Sequence, residues 1–133
     1  MRFTPLSLGP LPANLVSEAL EITVPDGAVH FSIPAQNHAY REHGRDFLAC
    51  MPFLSQAIAS PTYIGQSPRH RNQGFEIIYT APTNETAEGV MNVLIAVKIR
   101  LDNRGRYQLK SVYPIDDLKI LNRLETGHIR EAK

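Results

Sequence analysis

Hydrophobic and polar positions along this chain follow two periods, and the change falls near residue 74. Before it, apolar residues recur at helical spacing. Leu15, Ala19 and Leu20 fall roughly on one side of the segment Ala13–Leu20, and Phe47, Leu48, Met51, Leu54 and Ile58 form the stripe expected of a helix lying on a sheet. Asp46 is placed to cap that second segment. Pro52 then restarts it through Ile58, because proline is tolerated in a first helical turn and disfavoured inside a helix. Between the two lies Pro34–Gly44, a short helix with only a thin apolar face. Pro34 fits its first turn, Gly44 fits the left-handed position past its end, and Ala28–Ser32 reads as a short strand leading in.

After residue 74 the pattern alternates. Gly74–Ala81 and Val90–Leu101 are β-branched, and in the latter Met91, Val93, Ile95, Val97, Ile99 and Leu101 share one face, opposite Asn92, Lys98 and Arg100. Asp102–Gly105 is a hairpin signal, so Arg106–Ile115 pairs back on the long strand. Asp116 and Asp117 open a last helix, with Leu118, Leu121 and Leu124 expected inward. The expected fold is therefore α+β: N-terminal helices packed on a small antiparallel β-meander, followed by a C-terminal helix. Residues 1–25, rich in proline and leucine, read as a packing arm, and residues 26–133 as one domain.

Composition narrows the function classes. At 133 residues, 43% hydrophobic and 20% charged, the chain is long enough for a real core. No apolar run reaches the roughly 18 residues a membrane span needs, and no signal-peptide pattern is read at the N-terminus. No membrane partner is expected, and the cytoplasm is the expected compartment. One cysteine, Cys50, excludes an internal disulfide framework and reads as inert core. A net charge of +1 gives no global case for nucleic-acid binding, so such a case rests on local clusters.

The Pro34–Gly44 helix carries the densest candidate chemistry, with His38, Tyr40, Arg41 and His43. Five helical positions set the two histidine rings about 140° apart, so they do not form a preformed metal pair. The HExxH spacing is absent, and neither a metal site nor a cofactor is expected. Each histidine has a plainer reading as an exposed or stacking residue, and His43 also suits a helix C-terminus. Two basic elements follow. The loop Ser67–Gly74, with Arg71, is a candidate phosphate contact. Lys98, Arg100 and Lys110 are placed to share the outer face of the sheet, with Arg104 and Arg106 nearby, either as a phosphate-tracking surface or as a solvated, aggregation-resistant face. Strict alternation sets Ser111 and Tyr113 beside Leu109 and Ile115, facing the helices.

In their order along the chain these pieces resemble the phage-associated branch of the barnase–EndoU–colicin–RelE-like nuclease superfamily. The resemblance is carried by Val29–Ser32, Ala35–His43, Asp46–Phe47 with Met51–Pro52, Ser60–Gly65, the glutamate-bearing strand Phe75–Ile78 and Lys110–Ile115. It implies a helix packed on a four-stranded antiparallel sheet and metal-independent RNA cleavage by a toxin or prophage conflict effector. Implied partners are RNA, tRNA among them, and an immunity or antitoxin protein. The implied setting is a bacterial cytoplasm, reached by delivery in the case of an effector. Carried over by residue, the helix histidines and Ser111 are the implied catalytic positions.

The expected mechanism is attack of a 2′-hydroxyl on the adjacent phosphorus, giving 2′,3′-cyclic phosphate ends. His43, with His38 as partner or rival, supplies acid–base chemistry. Ser111 and Tyr113 hold the phosphate, and Arg41, Lys110, Arg71 and Lys98 bind the substrate. Two competing readings stand beside it. One is a catalytically inactive phage or prophage module that contacts protein or nucleic acid through the same helix-on-sheet platform. The other is a small hydrolase acting on a different phosphoester or on a nucleotide.

Overall fold

The computed structural model describes the chain except residues 68, 70–72, 85–86, 88 and 133. In chain order its elements are β1 (Leu6–Pro10), α1 (Ala13–Leu20), β2 (Ala28–Phe31), α2 (Ile33–His43), α3 (Arg45–Cys50), α4 (Leu54–Ala59), β3 (Tyr63–Gly65), β4 (Gly74–Pro82), β5 (Val90–Lys98), β6 (Tyr107–Pro114), α5 (Asp117–Glu125) and β7 (Ile129–Glu131). The fold is α+β, as its two periods imply. The strands form one open sheet in the order β1-β2-β6-β5-β4-β3-β7. All pairings are antiparallel except β2 with β6. The sheet thus holds seven strands where the resemblance implies four. The additions β1, β3 and β7 are three to five residues long, too short to show a period.

Residues 1–25 pack closely against the rest of the chain. β1 pairs with β2, and Leu8, Leu11, Ala13, Val16 and Val24 lie in the main core. Phe3 packs edge-on against Phe47, which packs edge-on against Phe31, each pair with ring centroids 5.9 Å apart. The buried Gln36 side chain of α2 clamps the same stretch, donating to the carbonyls of Thr4 (2.7 Å) and Phe31 (3.0 Å). One polar residue of the histidine helix is thereby structural.

α2 starts and stops as its punctuation predicts. The Ser32 hydroxyl accepts from the Ala35 amide, Pro34 lies in the first turn, and Gly44 ends the helix at φ +53°, a conformation that favours glycine. Gly44 also leads directly into α3, so Asp46 lies in that helix's first turn rather than capping it. Pro52 opens a single 3₁₀ turn, Met51–Phe53, that passes the chain into α4.

Apolar residues are buried on both faces of the sheet. Odd-numbered β5 residues Val93, Ile95 and Val97 join the main core with Phe47, Cys50, Leu54 and Ile58 of the helical layer. On the opposite face Leu94, Ile78, Ile115 and Ile129 pack with Ile120 of α5 in a smaller core. The expectation that this second face is solvated is corrected for its upper half. There Asn92 is buried, accepts from Thr80 Oγ1 (2.9 Å) and donates to Asp117 Oδ1 (2.6 Å). That bond and the Asp116 cap, which accepts from the Lys119 amide, fix the rotation of α5. Residues 117, 120, 123 and 124 therefore look to the sheet, while Leu118 and Leu121, expected inward, are 68% and 53% exposed.

Candidate functional site

α5 covers only the upper half of its face of the sheet, and the candidate site forms where that cover ends. Register lines up Glu76, Ala96 and Ser111 as direct cross-strand partners on β4, β5 and β6. The next row toward α5 holds Ile78, Leu94 and Tyr113. Arg123 reaches from α5 to the first row and pairs with Glu76, Nη1 to Oε1 at 2.8 Å, with both side chains mostly buried. Its guanidinium also lies near enough to Tyr113 to favour the ionised phenol.

A β-bulge brings Ser111 and Tyr113 to this face. Ala96 pairs with Ser111 but Val97 with Leu109, so Lys110 is an extra residue in β6. Leu109 and Val112 consequently both lie in the main core, while Tyr113 and Ile115 pack with the smaller one. The alternation expectation is corrected: Ser111 and Tyr113 keep company with Ile115, not Leu109, and turn away from the main helical layer. Ser111 is partly exposed, and its hydroxyl has no protein partner among the described residues.

His43 arrives at this site from α2. β2 pairs with β6 only at Tyr107 and Gln108, and beyond them α2 and α3 pack against β6. The last residue of α2 thus stands beside Tyr113. The two rings stack, with centroids 4.7 Å apart and planes 28° from parallel. Burial, then the nearby Glu76 carboxylate, push the Tyr113 phenol above its ordinary value, and Arg123 only partly offsets them. The phenol is therefore held protonated at neutral pH.

The other sequence-derived candidates distribute unevenly. His38 and Arg41 are exposed on α2, with no ring contact or ion pair joining them to this cluster. Arg71 lies outside the described residues. Lys98, Arg100 and Lys110 surround one depression of about 420 Å³, and Lys110 also borders a small hollow lined by Glu76 and Ala96. The wider positive cluster at the hairpin is smaller than the sequence suggests. Asp102 accepts from the backbone amides of Arg104 and Arg106 (2.9 Å each), from Arg106 Nε (3.0 Å) and from Gln108 Nε2 (2.6 Å). Arg106 is thus committed to structure.

Arg123 is the site residue that sequence reading missed. It sits on a helix whose inward face is set by the bond from Asn92 to Asp117, 25 positions apart in the chain, and nothing local marks it. Glu76 appears only as part of a motif. Among the described residues no group of three or more His, Cys, Asp or Glu side chains gathers in metal-binding arrangement. Likewise no helix is long and apolar enough to cross a membrane. Cys50 is fully buried, and burial, with Asp46 adding, pushes its thiol up to about 12, so it takes no part in the site's chemistry. No protein-family model, curated protein or solved structure matches the chain.

Proposed function

We propose that the protein is a metal-independent endoribonuclease, of the toxin or conflict-effector type, acting in a bacterial cytoplasm. The observation that carries this reading is the His43–Tyr113 stack beside the Glu76–Arg123 pair on the open half of the sheet. It sets an imidazole, a protonated phenol and a guanidinium together, next to a free serine hydroxyl and the basic depression of Lys98 and Lys110.

In this reading His43 removes the proton of a 2′-hydroxyl, whose oxygen attacks the adjacent phosphorus. The bond from phosphorus to the 5′-oxygen breaks, and Tyr113 returns a proton to that oxygen. Arg123 stabilises the phenolate so formed, and Glu76 holds Arg123 in place. Ser111 donates to a non-bridging oxygen, while Lys110 and Lys98 hold the flanking phosphates. Each proton transfer is worth about 10²- to 10⁴-fold in rate. His38, a rival on sequence grounds, has no part in it.

The test is incubation of purified protein with total RNA and with tRNA in EDTA, followed by mapping of the ends. Cleavage leaving 2′,3′-cyclic phosphates, lost in Tyr113→Phe and Arg123→Gln, is the expected result. Cleavage that needs a divalent cation, or that persists in both variants, overturns the mechanism.

A further inference from the structure

A second cavity, of about 710 Å³, lies between the C-terminal end of α1 and strands β3 and β7. Its size falls in the roughly 300–1,000 Å³ range of small-molecule sites. Leu20, Ile22, Ile64 and Ile99 supply apolar lining, and Ile22 is 45% exposed. Arg100 and Arg130 supply cations, and His128 an imidazole. None of the three has an ion-pair partner among the described residues, although Glu21 also lines the cavity. Arginines left unpaired around an apolar hollow suit a ligand with one flat apolar part and one anionic part.

The cavity is not isolated. Arg100 lines it and also lines the depression that holds Lys98 and Lys110. Lys110 in turn borders the hollow of Glu76 and Ala96, the row that continues to Ser111. Shared side chains therefore join three hollows into one strip ending at the candidate site. Its cations, Arg130, Arg100, Lys98 and Lys110, border it from three separate segments of the chain, β7, the end of β5 with the stretch just after it, and β6. A single folded element with one solvated charged face would not produce that convergence.

We propose that the cavity is a remote nucleotide subsite, in which a base rests on the apolar lining and a phosphate meets Arg130 and His128. The backbone of the same single-stranded RNA follows Arg100, Lys98 and Lys110 to the scissile position. The identity of the polymer rests on the nuclease reading, but occupation of the cavity is measurable without cleavage.

The experiment is fluorescence anisotropy with uncleavable 2′-O-methyl oligoribonucleotides of three and ten residues, at low and moderate salt. The expected result is that the ten-mer binds the wild-type protein at least tenfold tighter than the trimer. His128→Gln/Arg130→Gln and, separately, Ile22→Glu should weaken the ten-mer at least fivefold and leave the trimer unchanged. The double variant should also show a shallower salt dependence, by about 0.7 in logarithmic slope for the arginine lost. Equal affinity for the two lengths, or unchanged ten-mer binding in both variants, overturns the proposal. So does displacement of the ten-mer by polyglutamate of equal charge as readily as by unlabelled RNA, which assigns the strip to an acidic protein. Ten-mer binding that depends on Arg130 in a protein that cleaves nothing sustains the subsite and refutes the nuclease. Cleavage with no length dependence does the reverse.

Discussion

Replacing His43 separates packing from chemistry, because its ring does two things at once. The stack on Tyr113 is an aromatic contact at 4.7 Å, the sort worth about 0.5–1.5 kcal/mol beyond the area it buries. His43→Ala forfeits that amount, whereas His43→Phe keeps a flat ring and most of the contact. A domain of this size has about 5–15 kcal/mol of stability, so even after a loss of 1.5 kcal/mol more than about 99% of molecules stay folded. Unfolding therefore cannot lower the measured rate perceptibly in either variant. Loss of a general base lowers it by about 10²- to 10⁴-fold in both. The assay is cleavage of a fluorogenic RNA oligonucleotide in EDTA at pH 7, run beside urea unfolding of the same preparations. The expected outcome is two variants equally inactive and unequally stable, with His43→Phe close to wild type in unfolding midpoint. A His43→Phe protein that retains a third or more of the wild-type rate refutes the reasoning and leaves the histidine a packing residue.

Two further outcomes follow from the scaffold. His30 lies 3.4 Å from Arg106 Nη1, and burial first, then Arg106, holds its imidazole below the ordinary value of 6.5, with Asp102 opposing. The folded state thus favours neutral His30. Its contribution is complete above pH 6.5 and is lost as pH falls through that value, when the unfolded chain gains a proton that the folded one resists. Asp102, held well below the carboxylate range by the four hydrogen bonds it accepts, adds a loss at still lower pH. Urea midpoints should fall between pH 7.5 and 5.5 and fall less in His30→Gln; an equal drop in both removes His30 as the cause. At Gly65 an added Cβ would overlap the His128 carbonyl oxygen and lie 2.6 Å from Ile129 Cα, where β3 meets β7. Gly65→Ala should cost about 1–3 kcal/mol in urea unfolding, and a variant as stable as wild type would show that β7 is free to shift.

Much of the scaffold was legible because its signals are local. The helix opening at Asp116, the proline restart at Pro52, the glycine at position 44 and the alternation of Val93, Ile95 and Val97 each act within a few residues of where they are written. What escaped depends on contacts distant in sequence. Leu118 and Leu121 look like core by composition, yet Asn92 and Glu76 rotate α5 so that Ile120 and Arg123 face the sheet instead. β1, β3 and β7 are too short to carry a period and exist because neighbouring strands offer them edges. The candidate site divides the same way. His43 stands out as a polar residue at a helix end, and Tyr113 as a hydroxyl on a strand. That the two rings touch is a consequence of α2 lying against β6 where β2 has left it, and no spacing within either segment encodes that.

The extra residue at Lys110 gives the β6 strand a parity that residue identities alone do not reveal. Everything downstream of it on that strand is one step out of phase with everything upstream. Were the bulge lost and Lys110 paired with Ala96, Ser111 would come to lie opposite Ile95 and Tyr113 opposite Val93, inside the main core, and Val112 would move to the other face. Deleting Lys110 has no such effect, because Leu109 then stays beside Val97 and Ser111 beside Ala96, the pairs the strand already makes. A relative one residue shorter at this point therefore keeps the site on the same side of the sheet, whereas one that retains the residue in a regular ladder turns the same letters into the interior.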